Sequence, residues 1–195
     1  MKKFELTSET KINIFGKKLF RIKALISFGS VEEGETGGWV EKEDNLSHSG
    51  NAWVFDNAEV SDNARVFDNA WVFGNARVSD NARVFGNARV SGNARVFDNA
   101  WVFGNARVSD NARVFGNARV SDNADYATIH GFGTQFRTTT FFRCKDKQVK
   151  VSCGCFYGTI PEFREQVKNT RKGKIAEEYL MIADLMEKHF AEEAK

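Results

Sequence analysis

Between residues 51 and 122 the chain repeats a six-residue unit twelve times without interruption. Each unit reads Asn-Ala-x-Val-(Phe/Ser)-(Asp/Gly), from Asn51-Ala52-Trp53-Val54-Phe55-Asp56 to Asn117-Ala118-Arg119-Val120-Ser121-Asp122. A thirteenth unit starts at Asn123-Ala124-Asp125 and lapses at Tyr126, where valine is due. A fixed short period of this kind belongs to repeat architectures, in which one unit is meaningful only stacked on its neighbours.

The chemistry of the unit dictates the local shape. Ala and Val stand two apart, so both point to one side of a short strand, while the residues between and after them point to the other. Asp or Gly followed by Asn makes a corner, because these residues best tolerate the left-handed backbone of a tight bend. Three strands and three corners close one triangular coil of eighteen residues. An aliphatic residue followed four positions later by a small one, as in Val54 with Ala58 and Val60 with Ala64, is the hexapeptide pattern of left-handed parallel β-helices. The expected fold is therefore mainly β: a left-handed parallel β-helix, a triangular prism with a β cap before it and an α+β segment after it. The twelve units make four coils, about 20 Å tall at roughly 4.8 Å between parallel strands. Twelve valines and their alanine partners fill a narrow interior, each large side chain contributing about 1.5 to 3 kcal/mol on full burial. Corner asparagines eighteen apart, such as Asn51, Asn69, Asn87 and Asn105, are expected to form amide columns with a structural role.

The ends are read as caps, since a solenoid must cover its exposed terminal coils. Residues 1–38 are assigned to an N-terminal β-hairpin cap, 39–130 to the β-helix, and 131–195 to a β-hairpin with two helices. Trp39-Val40 and Leu46 suggest a degenerate first coil, with an outward bulge around Ser47-His48-Ser49-Gly50. Toward the C-terminus, Thr159 caps a helix starting near Pro161. A second helix over residues 175–191 aligns Ile175, Tyr179, Ile182, Met186 and Phe190 on one packing stripe.

The outward positions carry the information about partners. The longer sequence repeat has a period of thirty, which is out of step with an eighteen-residue coil. Aromatic residues are therefore spread unevenly over the three faces. The first face gathers Trp53, Phe55, Trp71 and Phe73; the third carries Phe67, Phe85 and Phe103 with Trp101. Patches of this size point to contact with something. Self-association is the first explanation, burial under the terminal segments the second, and a foreign partner or ligand the third. On the second face Arg77, Arg95 and Arg113 stand one coil apart and form a candidate anion-binding column. Residues 51–122 nevertheless hold eight Arg against seven Asp and Glu59, so a nucleic-acid partner is disfavoured and a solvated charge network is the plainer account.

Few residues suit catalysis or metal binding. Cys144, Cys153 and Cys155 are three cysteines and do not make a secreted disulfide framework. With His130 or His189 they could in principle supply a zinc site, but only one closely spaced pair exists, and buried thiols are the preferred account. No metal and no cofactor is expected. A net charge of +2 argues against a dedicated polyanion binder. Neither a membrane span nor a signal-peptide core is found in the sequence, so a soluble, cytoplasmic protein is expected.

Two clusters of residues outside the hexads resemble a family. Arg21-Ile22-Lys23-Ala24-Leu25, Gly37-Gly38-Trp39-Val40, Asn45-Leu46-Ser47 and Gly50-Asn51-Ala52-Trp53-Val54 are similar to the lead-in of hexapeptide-repeat proteins of phages, prophages and some bacteria. Thr139-Thr140-Phe141-Phe142-Arg143 and Cys153-Gly154-Cys155-Phe156-Tyr157-Gly158-Thr159 resemble the tail often joined to that body. The resemblance implies a left-handed β-helix, often trimeric, and brings no established activity. The better-known enzymes of this fold, acyltransferases and γ-class carbonic anhydrases, place histidines at the coils or subunit boundary. This chain has no histidine between His48 and His130, so neither catalytic set carries over. The expectation is a non-enzymatic scaffold, a homotrimer in the host cytoplasm that presents its faces to a partner, with a host-directed role such as sequestering a defence component. An acyltransferase-like enzyme using His48 or His130 at an interface is the alternative, and nucleotide or nucleic-acid binding through the arginine columns a second one. Ice binding is disfavoured because regular Thr-x-Thr arrays are absent.

Overall fold

The computed structural model describes residues 1–191. Its body is a parallel β-solenoid of twelve two-residue strands, one every six residues, from β4 (Trp53–Val54) to β15 (Arg119–Val120). They stack four to a face in the three sheets expected from the period of eighteen, so that Arg77 pairs with Arg95 and Arg95 with Arg113. Every Ala and Val of the twelve units is buried. Strands of the first three coils donate their N–H groups to the next coil, as Arg77 N does to Ala94 O (2.9 Å) and Ser79 N to Val96 O (3.0 Å).

The corners follow from the sixth residue of each hexad. Asp56, Asp62, Asp68, Asp80, Asp98 and Asp110 all have positive φ, as do Gly74, Gly86, Gly92, Gly104 and Gly116. Aspartate at this position does a second job, because its carboxylate accepts a backbone N–H one coil on: Gly74 N bonds Asp56 Oδ2 (3.0 Å) and Gly86 N bonds Asp68 Oδ2 (3.2 Å). Beside the corners the asparagines form ladders, with Asn51 to Asn69 (3.1 Å), Asn69 to Asn87 (3.3 Å) and Asn87 to Asn105 (3.3 Å) linked amide to amide.

The coil preceding the hexads is incomplete. Strand β3 (Thr36–Val40) pairs in parallel with Glu59–Val60, and Leu46 bridges Val66, so two faces gain a fifth layer. Antiparallel strands β1 (Phe4–Ile12) and β2 (Lys18–Ala24) extend the second face beyond β3 into a seven-stranded sheet. Strand β1 carries a bulge between Leu6 and Thr10, and residues 13–17 connect it to β2.

On the first face no strand covers the carbonyls of the starting coil, and a side chain substitutes. Lys3 Nζ donates to Ala52 O (2.8 Å) and Gly50 O (3.3 Å) and lies over the Phe28 ring. On the third face Asn45 Nδ2 serves Ala64 O (2.8 Å) and Asp62 O (3.1 Å) in the same way. At the other end side-chain oxygens receive the orphan N–H groups: Asn123 Oδ1 that of Arg107 (2.9 Å), and Thr140 Oγ1 that of Arg113 (3.1 Å). Buried polar groups left unpaired are costly, so these substitutions let the solenoid stop without exposing its core.

The C-terminal segment holds more strand than the hairpin read from sequence. Four antiparallel strands, β16 (Tyr126–Phe132), β17 (Arg137–Arg143), β18 (Val149–Cys153) and β19 (Phe156–Thr159), form one sheet in chain order. It therefore begins at Tyr126, five residues earlier than the boundary drawn at 131. Cys144 makes a bridge with Ala118 that ties the sheet to the last coil. Helix α1 (Ile160–Thr170) starts at a Thr159–Glu162 capping box, and α2 (Gly173–Phe190) buries Tyr179, Ile182, Met186 and Phe190 as its spacing requires. Both helices pack on the sheet in a core separate from that of the solenoid.

Burial lowers the Lys3 ammonium from its ordinary 10.5 to about 8. Below pH 8 the lysine is charged folded and unfolded alike, and the folded state carries the desolvation cost throughout. Between 8 and 10.5 the unfolded chain binds the extra proton, so stability rises with pH. Denaturant midpoints from pH 7 to 10.5 should therefore climb for the wild type relative to Lys3→Met, whereas parallel profiles would contradict the burial of this charge.

Candidate functional site

Three surface regions collect the residues singled out in the sequence, and the structure treats them differently. On the first face Trp53 is fully buried. Phe28 packs edge-on against it (5.3 Å between centroids) and Phe4 does the same at 6.2 Å. Gly37 makes room, since a Cβ there would stand 2.7 Å from the indole Cζ2. Trp53 was expected on the exposed aromatic patch and is instead part of the N-terminal core. The lead-in segment contributes two aromatic rings and no competing side chain at Gly37. Phe55 is half-buried against the same core, with Trp71 edge-on to it (5.4 Å) and Arg89 over the Trp71 ring. Phe55, Trp71 and Phe73 remain partly exposed, and Trp53 alone of the four is buried.

The third face keeps its aromatic ladder on the surface. Phe67, Phe85 and Phe103 are half-buried rings stacked almost parallel, 4.8 and 5.1 Å apart. Trp101 meets Phe85 edge-on (5.9 Å) and is sandwiched by Arg119 (4.1 Å) and Arg83 (5.1 Å). Arg119 also donates to the carbonyls of Asn99 (3.0 Å) and Ala118 (2.8 Å). This sheet contains solenoid strands alone, whereas the second face is extended by the hairpin.

A groove of about 610 Å³ opens where the ladder meets the bulge after β3, lined among others by Glu43, His48, Arg65, Phe67 and Arg83. His48 has little freedom in it. Its Nδ1 accepts the backbone N–H of Lys3 (3.1 Å), its Nε2 faces Glu43 Oε1 (2.6 Å), and its ring stacks on Phe4 (4.3 Å). Because Nδ1 is the acceptor, Nε2 carries the proton and donates to the carboxylate. Bonding to His48, and then to Lys2, holds Glu43 below the usual carboxylate range. Both ring nitrogens are committed, and a general base needs one free. His130 lies exposed on β16, 3.3 Å from the Thr138 hydroxyl.

The second face brings the three column arginines together with a residue that sequence reasoning passed over. The β1–β2 hairpin folds over this face: Lys11 Nζ bonds Glu59 (2.9 Å), and Lys17 pairs with Asp62. Its tip overhangs a cleft of about 300 Å³ lined by Phe15, Arg77, Ser79, Asp80, Arg95, Phe97 and Arg113. Phe15 is 65% exposed there, with Ile12 and Ile14 beside it at 66% each. A large apolar pair at Ile14-Phe15 directly before the turn glycine was the available signal, since such tips are usually polar.

The cysteines do not converge. Cys144 is buried beneath Tyr157, whose hydroxyl rests against Gly116; Cys153 is half-buried and accepts the Thr139 hydroxyl (3.2 Å); Cys155 is exposed. Among the described residues no group of three or more His, Cys, Asp or Glu side chains is placed to hold a metal ion. Cys144 lies in the core of the solenoid, Cys153 packs against that of the C-terminal segment, and Cys155 is in neither. Burial, then the nearby Asp146, pushes the Cys144 thiol up to about 11. No helix among the described residues is long and apolar enough to cross a membrane.

A family described as the YdcK β-solenoid repeat matches residues 76–90, 88–104 and 106–122. The similarity covers the later coils and supports a repeat β-solenoid. No curated protein matches the chain.

Thiol accessibility follows directly from this arrangement. With an alkylating reagent at pH 8, peptide mass spectrometry should find Cys155 labelled first and Cys144 unlabelled until the protein is unfolded; native labelling of Cys144 would contradict its place under Tyr157.

Proposed function

We infer that the protein is a non-enzymatic binding scaffold that assembles through its third face as a homotrimer. The observation that carries this reading is the Phe67–Phe85–Phe103 stack, half exposed and flanked by Trp101 on a sheet whose strands all belong to the solenoid. A contiguous aromatic strip costs free energy in water and is relieved when a second surface covers it. Stacked rings at a fixed spacing also present a flat, rigid contact that loses little side-chain entropy on docking. A heterologous contact between such faces makes a closed ring when its rotation closes, and the trimer is the ring that the resemblance to hexapeptide-repeat proteins implies.

Scaffolding is favoured over acyl transfer because His48, the one histidine at the solenoid, has both nitrogens engaged. The lead-in and tail motifs extend the proposal to a phage- or prophage-type protein of the host cytoplasm, whose remaining faces are turned to a host-directed partner.

Light scattering on the eluting protein at micromolar concentration should return three times the chain mass. Phe85→Ser combined with Phe103→Ser should return a single chain with an unchanged far-ultraviolet spectrum, because both rings lie outside the valine core. A monomeric wild type overturns the assembly, and a trimeric double variant overturns the face assigned to it.

A further inference from the structure

The cleft on the second face is a separate feature and does not depend on assembly through the third. The arginines of the solenoid are satisfied in different ways. Arg119 bonds carbonyls and stacks on Trp101, Arg83 stacks on the same ring, and Arg89 stacks on Trp71. Within the column Arg77 is neutralised by Glu59, its Nε 3.4 Å from Oε2. The Arg95 side chain has no ion pair or hydrogen bond among the described residues, its backbone N–H alone bonding Ala112 O (2.9 Å). Burial, and then the charges of Arg77 and Arg113 on either side, depress its guanidinium below the ordinary value. Arg113 lies over the Phe97 and Phe115 rings (5.8 and 5.9 Å), and its Nε is buried with no partner. Two adjacent cations are thus held without a counter-charge, and one of them has an orphaned donor.

The walls of the cleft are aromatic. Phe97 stacks on Phe115 (4.7 Å, planes 5° apart) and forms the floor. Phe15 forms the overhang, held there by the Lys17 pairing with Asp62 and by Asn13 Oδ1, which accepts the N–H groups of Phe15 (2.9 Å) and Lys17 (3.0 Å). Asp80 sits at the rim, its carboxylate engaged by the Ser79 hydroxyl (3.1 Å) and the Asp98 N–H (3.4 Å). Neighbouring parallel strands are about 4.8 Å apart, so adjacent guanidinium groups can share one tetrahedral anion, which suits arginine's fork of donors. A volume of about 300 Å³ is at the small end of ligand pockets and matches one compact molecule better than a polymer.

We propose that this cleft binds a phosphomonoester carried on a flat aromatic body, of the size of a nucleoside monophosphate, with the phosphate on Arg95 and Arg113 and the ring between Phe15 and Phe97. A dianion matches the two unpaired guanidinium charges, and the ring covers the exposed Phe15. The hairpin then acts as a fixed overhang, fastened near its tip by Lys11–Glu59 and Lys17–Asp62.

Isothermal titration of the wild-type protein at low salt with adenosine monophosphate, inorganic phosphate and adenosine separates the two halves of the site. Adenosine monophosphate should bind, and at least tenfold more tightly than either fragment. Arg95→Gln should weaken it at least tenfold, while Phe15→Ala should weaken it several-fold and leave inorganic phosphate unaffected. Both side chains lie outside the solenoid core, so each variant should keep the wild-type melting temperature. Absence of adenosine monophosphate binding at millimolar concentration, or binding that Arg95→Gln leaves unchanged, overturns the site. Equal binding of inorganic phosphate and adenosine monophosphate overturns the aromatic half of the proposal.

Discussion

Eleven successive hexads turn at a sixth residue held in the left-handed backbone region, and the rest of the molecule depends on that bend. An ordinary L-residue is strained there by its Cβ, whereas glycine is free and aspartate offsets part of the cost through the N–H its carboxylate accepts one coil on. The bend leaves strands of only two residues, too short to be stable alone. Each therefore relies on main-chain bonds to the coils above and below. Alanine and valine then fill the narrow interior completely, because three strands converge on one axis. Corner geometry, strand length and core composition are one constraint seen at three scales.

A periodic structure of this type has no natural end, and the terminal segments supply one by imitation. Lys3 and Asn45 take the place of absent strand N–H groups at one end, while Asn123 and Thr140 take the place of absent carbonyls at the other. The N-terminal solution requires an ammonium group inside the protein, where desolvation opposes its charge. The same segment buries Trp53 and carries the hairpin that overhangs the second face. Capping and shaping of a surface cleft are thus done by one stretch of chain.

The three faces share a backbone and differ in surface, and the difference arises from the mismatch between periods of thirty and eighteen. On the third face the phases coincide three times and Phe67, Phe85 and Phe103 stack. On the second they leave Arg77, Arg95 and Arg113 in register, with Glu59 in place of a fourth arginine to neutralise only the first of them. Regular copying of a short unit can in this way produce an ordered scaffold whose sides carry different chemistry. The similarity to the YdcK β-solenoid repeat concerns the scaffold, which the hexad alone specifies.

The solenoid, its three faces, the corner residues and the amide ladders were legible in the sequence because each depends on local chemistry repeated at a fixed interval. The degenerate coil at Trp39 and Leu46 was legible for the same reason. Strands β16 and β19 were not, since a short strand beside a repeat has no period of its own and is defined by the partner it meets. Nor was the fate of Trp53: its place in the hexad points outward, and only Phe4, Phe28 and the space at Gly37 make that outside an inside. The arginine column was readable as three residues eighteen apart. That Glu59 satisfies one of them, that Arg95 is left unpaired, and that Phe15 reaches over from a hairpin were decided by tertiary structure. Charge pairing and enclosure depend on what distant segments bring to the same place, and no local pattern encodes them.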